Sequence, residues 1–194
     1  MSSLTTKKAI AFTLKEILLE KPLSKVTIND ITKRCDINRQ TFYYHFQDIF
    51  DLIEWICVED ANKALERKID YATWQEGFLS IFELMKKDKA FVENVYHSVS
   101  HEMLSKNLYR LVFPIIYDVV KEKTSGLAVK EDDIVFITNF YKYSFVAIML
   151  KWIEDGMVSD PNLIVKRVSS IVSGTIEHAV KTFDDSKITT SKIN

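Results

Sequence analysis

The chain has 194 residues, 47% apolar and 27% charged, with only 4 glycines and 3 prolines. That is enough apolar material to bury a core and too little turn-forming material for a many-stranded β fold, so the composition points to an all-α protein. The net charge of −1 excludes a chain that is basic throughout, yet residues 1–50 hold eight basic against five acidic side chains, which leaves −4 for the remainder. A basic head on an acidic body suits phosphate contact by one part of a chain.

From Leu4 to Leu19 the apolar residues Ala9, Ile10, Phe12, Leu14, Ile17 and Leu18 recur at helical spacing, and Pro22 closes the segment. Thr27 is placed to cap a second helix, with Asp30 three residues on as a weak version of the capping box, and Ile28, Ile31 and Cys35 mark its buried side. A tight junction, Cys35-Asp36-Ile37-Asn38, leads into a third short helix that Asn38 caps. Two short helices joined this way make a helix-turn-helix, whose second helix reads the DNA major groove. Phe42 and Phe46 share one face of the third helix and are expected to anchor it on a small core with Phe12 and Ile31. Arg39, Gln40, Thr41, Tyr44 and His45 then point elsewhere. A merely amphipathic core helix does not need so much hydrogen-bonding equipment among its aromatics.

A longer helix is expected from Asp48 to about Asp70, with Leu52, Ile53, Ile56 and Leu65 inward. Thr73-Trp74-Gln75-Glu76 reads as a capping box opening a helix through about Lys87, followed after a break by a short helix through Tyr96. Leu104 to Lys123 is helical in pattern, with Pro114 predicting a kink or a split. After a loop at Thr124-Ser125-Gly126, one helix runs from about Glu131 to Asp155 and stops at Gly156. Asp160-Pro161 opens a last long helix to about Phe183. The resulting division is a helix-turn-helix DNA-binding domain over 1–47, a larger helical domain over 48–185, which the resemblance given next implies is a ligand-binding and dimerisation domain, and a polar tail over 186–194.

The block Val26-Thr27-Ile28-Asn29-Asp30-Ile31, then Ile37 through Phe46, then Leu52-Ile53, resembles the N-terminal domain of the TetR family of bacterial transcriptional regulators. The likeness covers roughly the first 55 residues; the later helices are similar in size and order only. The run Arg-Gln-Thr-Phe-Tyr-Tyr-His-Phe-Gln-Asp also resembles the subgroup that includes activators of dihydroxyacetone kinase operons. The resemblance implies that Thr27 and the dipole of its helix hold a phosphate, and that Arg39, Gln40 and Thr41 face base edges. It further implies that Tyr43 and His45 clamp the sugar-phosphate backbone, with Tyr44 touching base or backbone. Arg suits guanine, Gln adenine and a Thr methyl the thymine methyl, at about 1–3 kcal/mol of discrimination each. Two positions depart from the family pattern. Asp36 stands where glycine is usual, and Ile49 where many members carry a phosphate-contacting lysine.

The family likeness implies a homodimer on a palindromic double-stranded DNA operator, controlled by a small-molecule effector in the body. Bundles hold ligands between helices, so Trp74, Phe78, His97, Tyr117 and Tyr143 are candidate pocket residues. Phe140, Ile148, Val168, Val172 and Ile176 are candidates for a four-helix dimer interface, two helices from each chain. His97 and His101, four apart, would share a helix face as a weak zinc site, but Ser98 and Ser100 interrupt the segment and no third ligand is fixed. No metal or cofactor is therefore expected, and Cys35 and Cys57 read as reduced thiols. The sequence carries no leader pattern and no run of about 18 uninterrupted apolar residues, which predicts a cytoplasmic protein without a membrane partner. No catalytic constellation stands out, so the chain reads as no enzyme. The alternative to a DNA-binding regulator is an all-helical adaptor or ligand sensor that binds a protein partner.

Overall fold

The computed structural model describes residues 3–64 and 73–184, and among these every regular element is a helix. In chain order they are α1 (Ser3–Leu18), a 3-10 turn (Leu23–Lys25), α2 (Ile28–Arg34), α3 (Arg39–His45), α4 (Ile49–Ala64), α5 (Trp74–Lys87), α6 (Lys89–Ser98), α7 (His101–Lys123), α8 (Glu131–Glu154), α9 (Pro161–Val172) and α10 (Thr175–Thr182). The expected continuation of α4 to Asp70, with Leu65, and the polar tail lie outside the described residues.

Two cores form. The head core gathers Ile10, Leu14, Ile17 and Leu18 of α1 around Ile31 of α2 and Phe42 of α3. It then takes in Leu52, Ile53 and Ile56 of α4, and Phe91 and Val95 of α6, so α4 and α6 seat the head on the body. Phe12 does not join it and is 64% exposed. Ile10, Leu14 and Ile17 set the buried stripe, and a residue two positions past Ile10 lies about 200° around the helix. The body core is larger and aromatic: Trp74, Phe78 and Phe82 of α5 meet Phe145 and Trp152 of α8, with Phe78 and Phe145 centroids 4.6 Å apart. The α8 helix has the length and apolar composition to cross a bilayer, but Ile134, Ile137, Val146, Met149 and Ile153 are buried against its neighbours in this core.

Several expected boundaries differ. Pro114 sits inside one unsplit helix. Pro114 and Arg110, whose carbonyl loses its usual donor, are both exposed, so water can supply the missing partner. The α7 helix also starts earlier than its apolar pattern, because Ser100 caps it by accepting from the Met103 amide at 3.2 Å. Thr73 makes no side-chain capping bond to α5, so the capping box read there is not formed. The last long helix is broken. Gly174, at φ 76°, separates α9 from α10, a left-handed conformation that glycine takes without a Cβ penalty.

Candidate nucleic-acid interface

The turn between α2 and α3 depends on Asp36, which takes the left-handed conformation at φ 52°. Beyond it the Ile37 amide donates back to the Thr32 carbonyl at 3.0 Å, and the Cys35 amide to Ile31 at 2.9 Å, closing α2. Asp meets the turn's backbone requirement in place of the usual glycine at a cost of about 1–2 kcal/mol. Asn38 then caps α3: its Oδ1 accepts the Thr41 amide at 2.7 Å and the Thr41 hydroxyl at 3.0 Å.

Phe42 is buried in the head core with Phe46 just past the helix end, and this pins one side of α3 inward. The other side faces out. Arg39, Gln40, Tyr43 and Tyr44 are exposed, Tyr44 at 81%, and Thr41 and His45 are half-buried. The Tyr44 and His45 rings meet edge-on at 4.9 Å, so the two side chains steady one another. All six expected α3 contacts are therefore at least partly accessible.

Thr27 is exposed at the start of α2, but its hydroxyl is engaged. It accepts the Asp30 amide at 3.2 Å and donates to the Asp30 carboxylate at 2.7 Å, while the Thr27 amide donates to the same carboxylate at 2.8 Å. Lys21 lies 2.8 Å from that carboxylate. The bonds from Lys21 and Thr27 hold the Asp30 carboxyl well below the usual range. The expectation that the Thr27 hydroxyl holds a phosphate is narrowed accordingly: its proton is committed to the cap. Of the head's cations, Lys7 lies over the Phe46 and Trp55 rings at 5.3 and 5.7 Å, and Arg34 pairs with Glu20 at 2.7 Å. Lys8, Lys25 and Lys33 are exposed. Ile49, in the first turn of α4, is half-buried against the head core.

In the body, Trp74 and Phe78 do line a cavity, together with Ile81, Val112, Tyr141 and Phe145. The other three expected pocket residues lie elsewhere. Tyr117 donates to Glu131 at 2.6 Å, and Tyr143 is half-exposed against Tyr109 at 5.0 Å. His97 borders an outer groove beside Pro22 and Phe50. His97 lies in the last turn of α6 and His101 begins α7, so they do not stand four apart on one helix; each ring instead meets Tyr96 edge-on. Of the expected interface residues, Phe140 is 61% exposed and Ile148 half-buried, but Val168, Val172 and Ile176 are buried in their own subunit's core. The large apolar side chains that these two helices expose are Phe136, Phe140 and Tyr143 on α8 and Leu163 and Ile171 on α9.

Sequence reasoning missed a second cavity, between α4, α5, α6 and α7, of about 700 Å³ with its open mouth included. Ala61, Phe91, Val95, Leu108, Asp60 and Asp88 are among its walls. Each helix contributes a few residues, so no local pattern announces it. Cys57 also lines it, and burial pushes this thiol up to about 12.

Residues 72–174, more than half of the chain, match the family described as transcriptional regulator C-terminal region, and residues 13–55 match bacterial regulatory proteins of the tetR family. The chain is similar to the HTH-type dhaKLM operon transcriptional activator DhaS of Lactococcus lactis subsp. lactis (strain IL1403), at 28% identity over 94 residues. That match spans 48% of this chain and about half, 50%, of the relative. Among solved structures, dihydroxyacetone kinase operon activator DhaS superposes with a TM-score of 0.68 at 21% identity, covering 93% of this chain and 99% of that one. NalD, the secondary repressor of the MexAB-OprM multidrug efflux pump in Pseudomonas aeruginosa, superposes with a TM-score of 0.57 at 13% identity, covering 88% and 94%. At these identities the structural likeness is one of fold.

Proposed function

As a member of the tetR family of bacterial regulatory proteins, the chain is a transcriptional regulator with a DNA-binding N-terminal domain, and we propose that it binds a palindromic operator as a homodimer. It is not an enzyme. Residues 1–47 supply the reading surface, and 48–185 supply the pairing surface and an effector cavity. Arg39, Gln40 and Thr41 read bases; Tyr43 and His45 hold the flanking backbone, and Tyr44 touches a base or the backbone. Thr27 contributes through the backbone of the α2 first turn. The dimer forms through the exposed apolar side chains of α8 and α9, with Phe140 central, and presents two reading helices to two half-sites. The protein works in the cytoplasm. Its likeness to named activators of dihydroxyacetone kinase operons supports an activating role.

An effector acts by population shift: it must bind one head arrangement better than another to change operator affinity. The route available is α4, which packs on the head core at its start and lines the second cavity at its end. Glu54 of α4 also pairs with Arg110 of α7.

The observation that carries this reading is the outward side of α3, where Arg39, Gln40, Tyr43 and Tyr44 are exposed. Fluorescence anisotropy against the gene's own upstream DNA, at several salt concentrations, tests it. Tight binding that weakens steeply with salt, and a much weaker grip on an unrelated duplex, is expected. Equal affinity for both duplexes would overturn the reading.

A further inference from the structure

Phe91 and Val95 of α6 enter the head core with Ile17 and Leu18 of α1. Apolar packing of this kind is non-directional, so it holds head and body together without selecting one angle between them. Hydrogen bonds are directional, and Asn94, beside Val95 on α6, makes three. The Leu18 carbonyl ends α1, and the residue four positions on is Pro22, which has no amide hydrogen to offer it. The Leu23 amide opens the 3-10 turn and has no acceptor within it. Asn94 serves both: its Nδ2 donates to the Leu18 carbonyl at 3.3 Å, and its Oδ1 accepts the Leu23 amide at 3.0 Å. Nδ2 also donates to the Ala90 carbonyl at 2.8 Å, one turn back in α6. One amide donor and two carbonyl acceptors admit a single orientation of the carboxamide, so it is pinned from both sides.

A second fastener is Lys15 of α1. Its ammonium lies 2.5 Å from Asp60 of α4, bonds Asp88 at the start of α6, and sits 5.3 Å from the centre of the Phe91 ring. Asn94 and Lys15 thus hold α1 at two points along its length. Two such points resist rotation of the head as well as its separation from the body.

We propose that Asn94, seconded by Lys15, sets the angle of the head on the body and thereby the half-site spacing that the protein accepts. The proposal rests on the reading of a homodimer on an operator, and names residues that determine its specificity without touching DNA. In a symmetric pair with joined bodies, the head angle sets the separation and mutual rotation of the two α3 helices. One base pair added between half-sites moves one of them by about 3.4 Å and turns it by about 35° around the duplex. A fastened head cannot follow that change; a loosened head can.

Selection of binding sites from a pool of random duplexes, with the intact chain, tests the proposal and needs no known operator. The parent is expected to return paired half-sites at one spacing. On that site it should lose about tenfold in affinity, by anisotropy, when one base pair is added or removed at the centre. Asn94→Ala should return the same half-site sequence at several spacings, with the loss reduced to about threefold or less. Lys15→Gln should act in the same direction, and Lys15→Arg should keep the parent's preference. Lost stability alone would weaken binding to all of these sites together and leave their ratio unchanged, so the ratio reports positioning. Undiminished tenfold discrimination in Asn94→Ala overturns the proposal. Should that variant fail to melt cooperatively, Lys15→Gln and Lys15→Arg decide, and equal discrimination by the two counts against it. A parent that selects no paired half-sites removes the operator reading and this proposal together, whereas one unchanged spacing in the parent and both loosened variants removes this proposal alone.

Discussion

The head and the body of this protein use opposite means of holding a helix. In the head, short helices are fixed at their ends: Thr27 and Asp30 cap α2, Asn38 caps α3, and Asp36 makes the turn between them. In the body, long helices are held along their length by aromatic packing, as where Phe82 meets Trp152 at 4.8 Å. Seven-residue helices are too short to be stable alone, so the head depends on caps and two buried phenylalanines, whereas the body tolerates even an internal proline. The contrast suits their tasks. A cap leaves the outer face of a helix free to meet DNA, while lateral packing leaves hollows between helices.

The largest predicted effects test whether the two regions are separable. Phe42→Ala should cost about 3–5 kcal/mol and abolish operator binding, while near-ultraviolet circular dichroism still reports the body's packed aromatics. Phe82→Ala should cost a similar amount but disturb the body first. If both variants melt in one identical transition, the cores joined through Phe91 and Val95 act as a single cooperative unit.

Next come substitutions that should touch recognition alone. Arg39→Ala and Thr41→Ala are each expected to lose about 1–3 kcal/mol of operator affinity by anisotropy. Their melting temperatures should stay close to the parent's, because Arg39 is exposed and the Thr41 amide keeps its bond to Asn38. A matching loss of thermal stability would recast these residues as structural.

How much of this was legible in the sequence follows the same divide. The caps at Thr27 and Asn38 and the buried Phe42 and Phe46 could be read because each depends on neighbours within a few positions. Phe12 was misplaced because an apolar residue in an apolar stretch does not announce which side of the stripe it takes. In the body, Val168, Val172 and Ile176 were assigned to a partner when they belong to their own core. Their periodicity fixes that they are buried but not by whom. The second cavity and the Lys15 bridge join residues 45 and 73 positions apart, beyond any local pattern. The two departures from the family pattern have structural roles: Asp36 performs the turn its position demands, and Ile49 packs on the head core.

Smaller effects sharpen the picture of the capped head. Asn38→Ala should cost about 1 kcal/mol in chemical denaturation. Asp36→Gly should stabilise by up to about 1 kcal/mol by relieving the left-handed aspartate, although some of that gain is lost to the freer unfolded chain. Last is a pH effect at Asp30. Its carboxyl is depressed below the ordinary value of 3.8, so its contribution is complete above that pH and lost as the pH falls below it. Asp30→Asn should therefore flatten the acid side of a plot of stability against pH.

The most direct test of the central claim is dimethyl sulfate protection of guanine N7 on the gene's own upstream DNA. Two paired α3 surfaces predict two protected major-groove patches on one face of the duplex, related by dyad symmetry and separated by a whole number of turns of about 34–36 Å. Tyr44→Ala should weaken both patches together. A single unsymmetric patch, or protection that survives when Arg39, Gln40 and Thr41 are all alanine, would contradict the account.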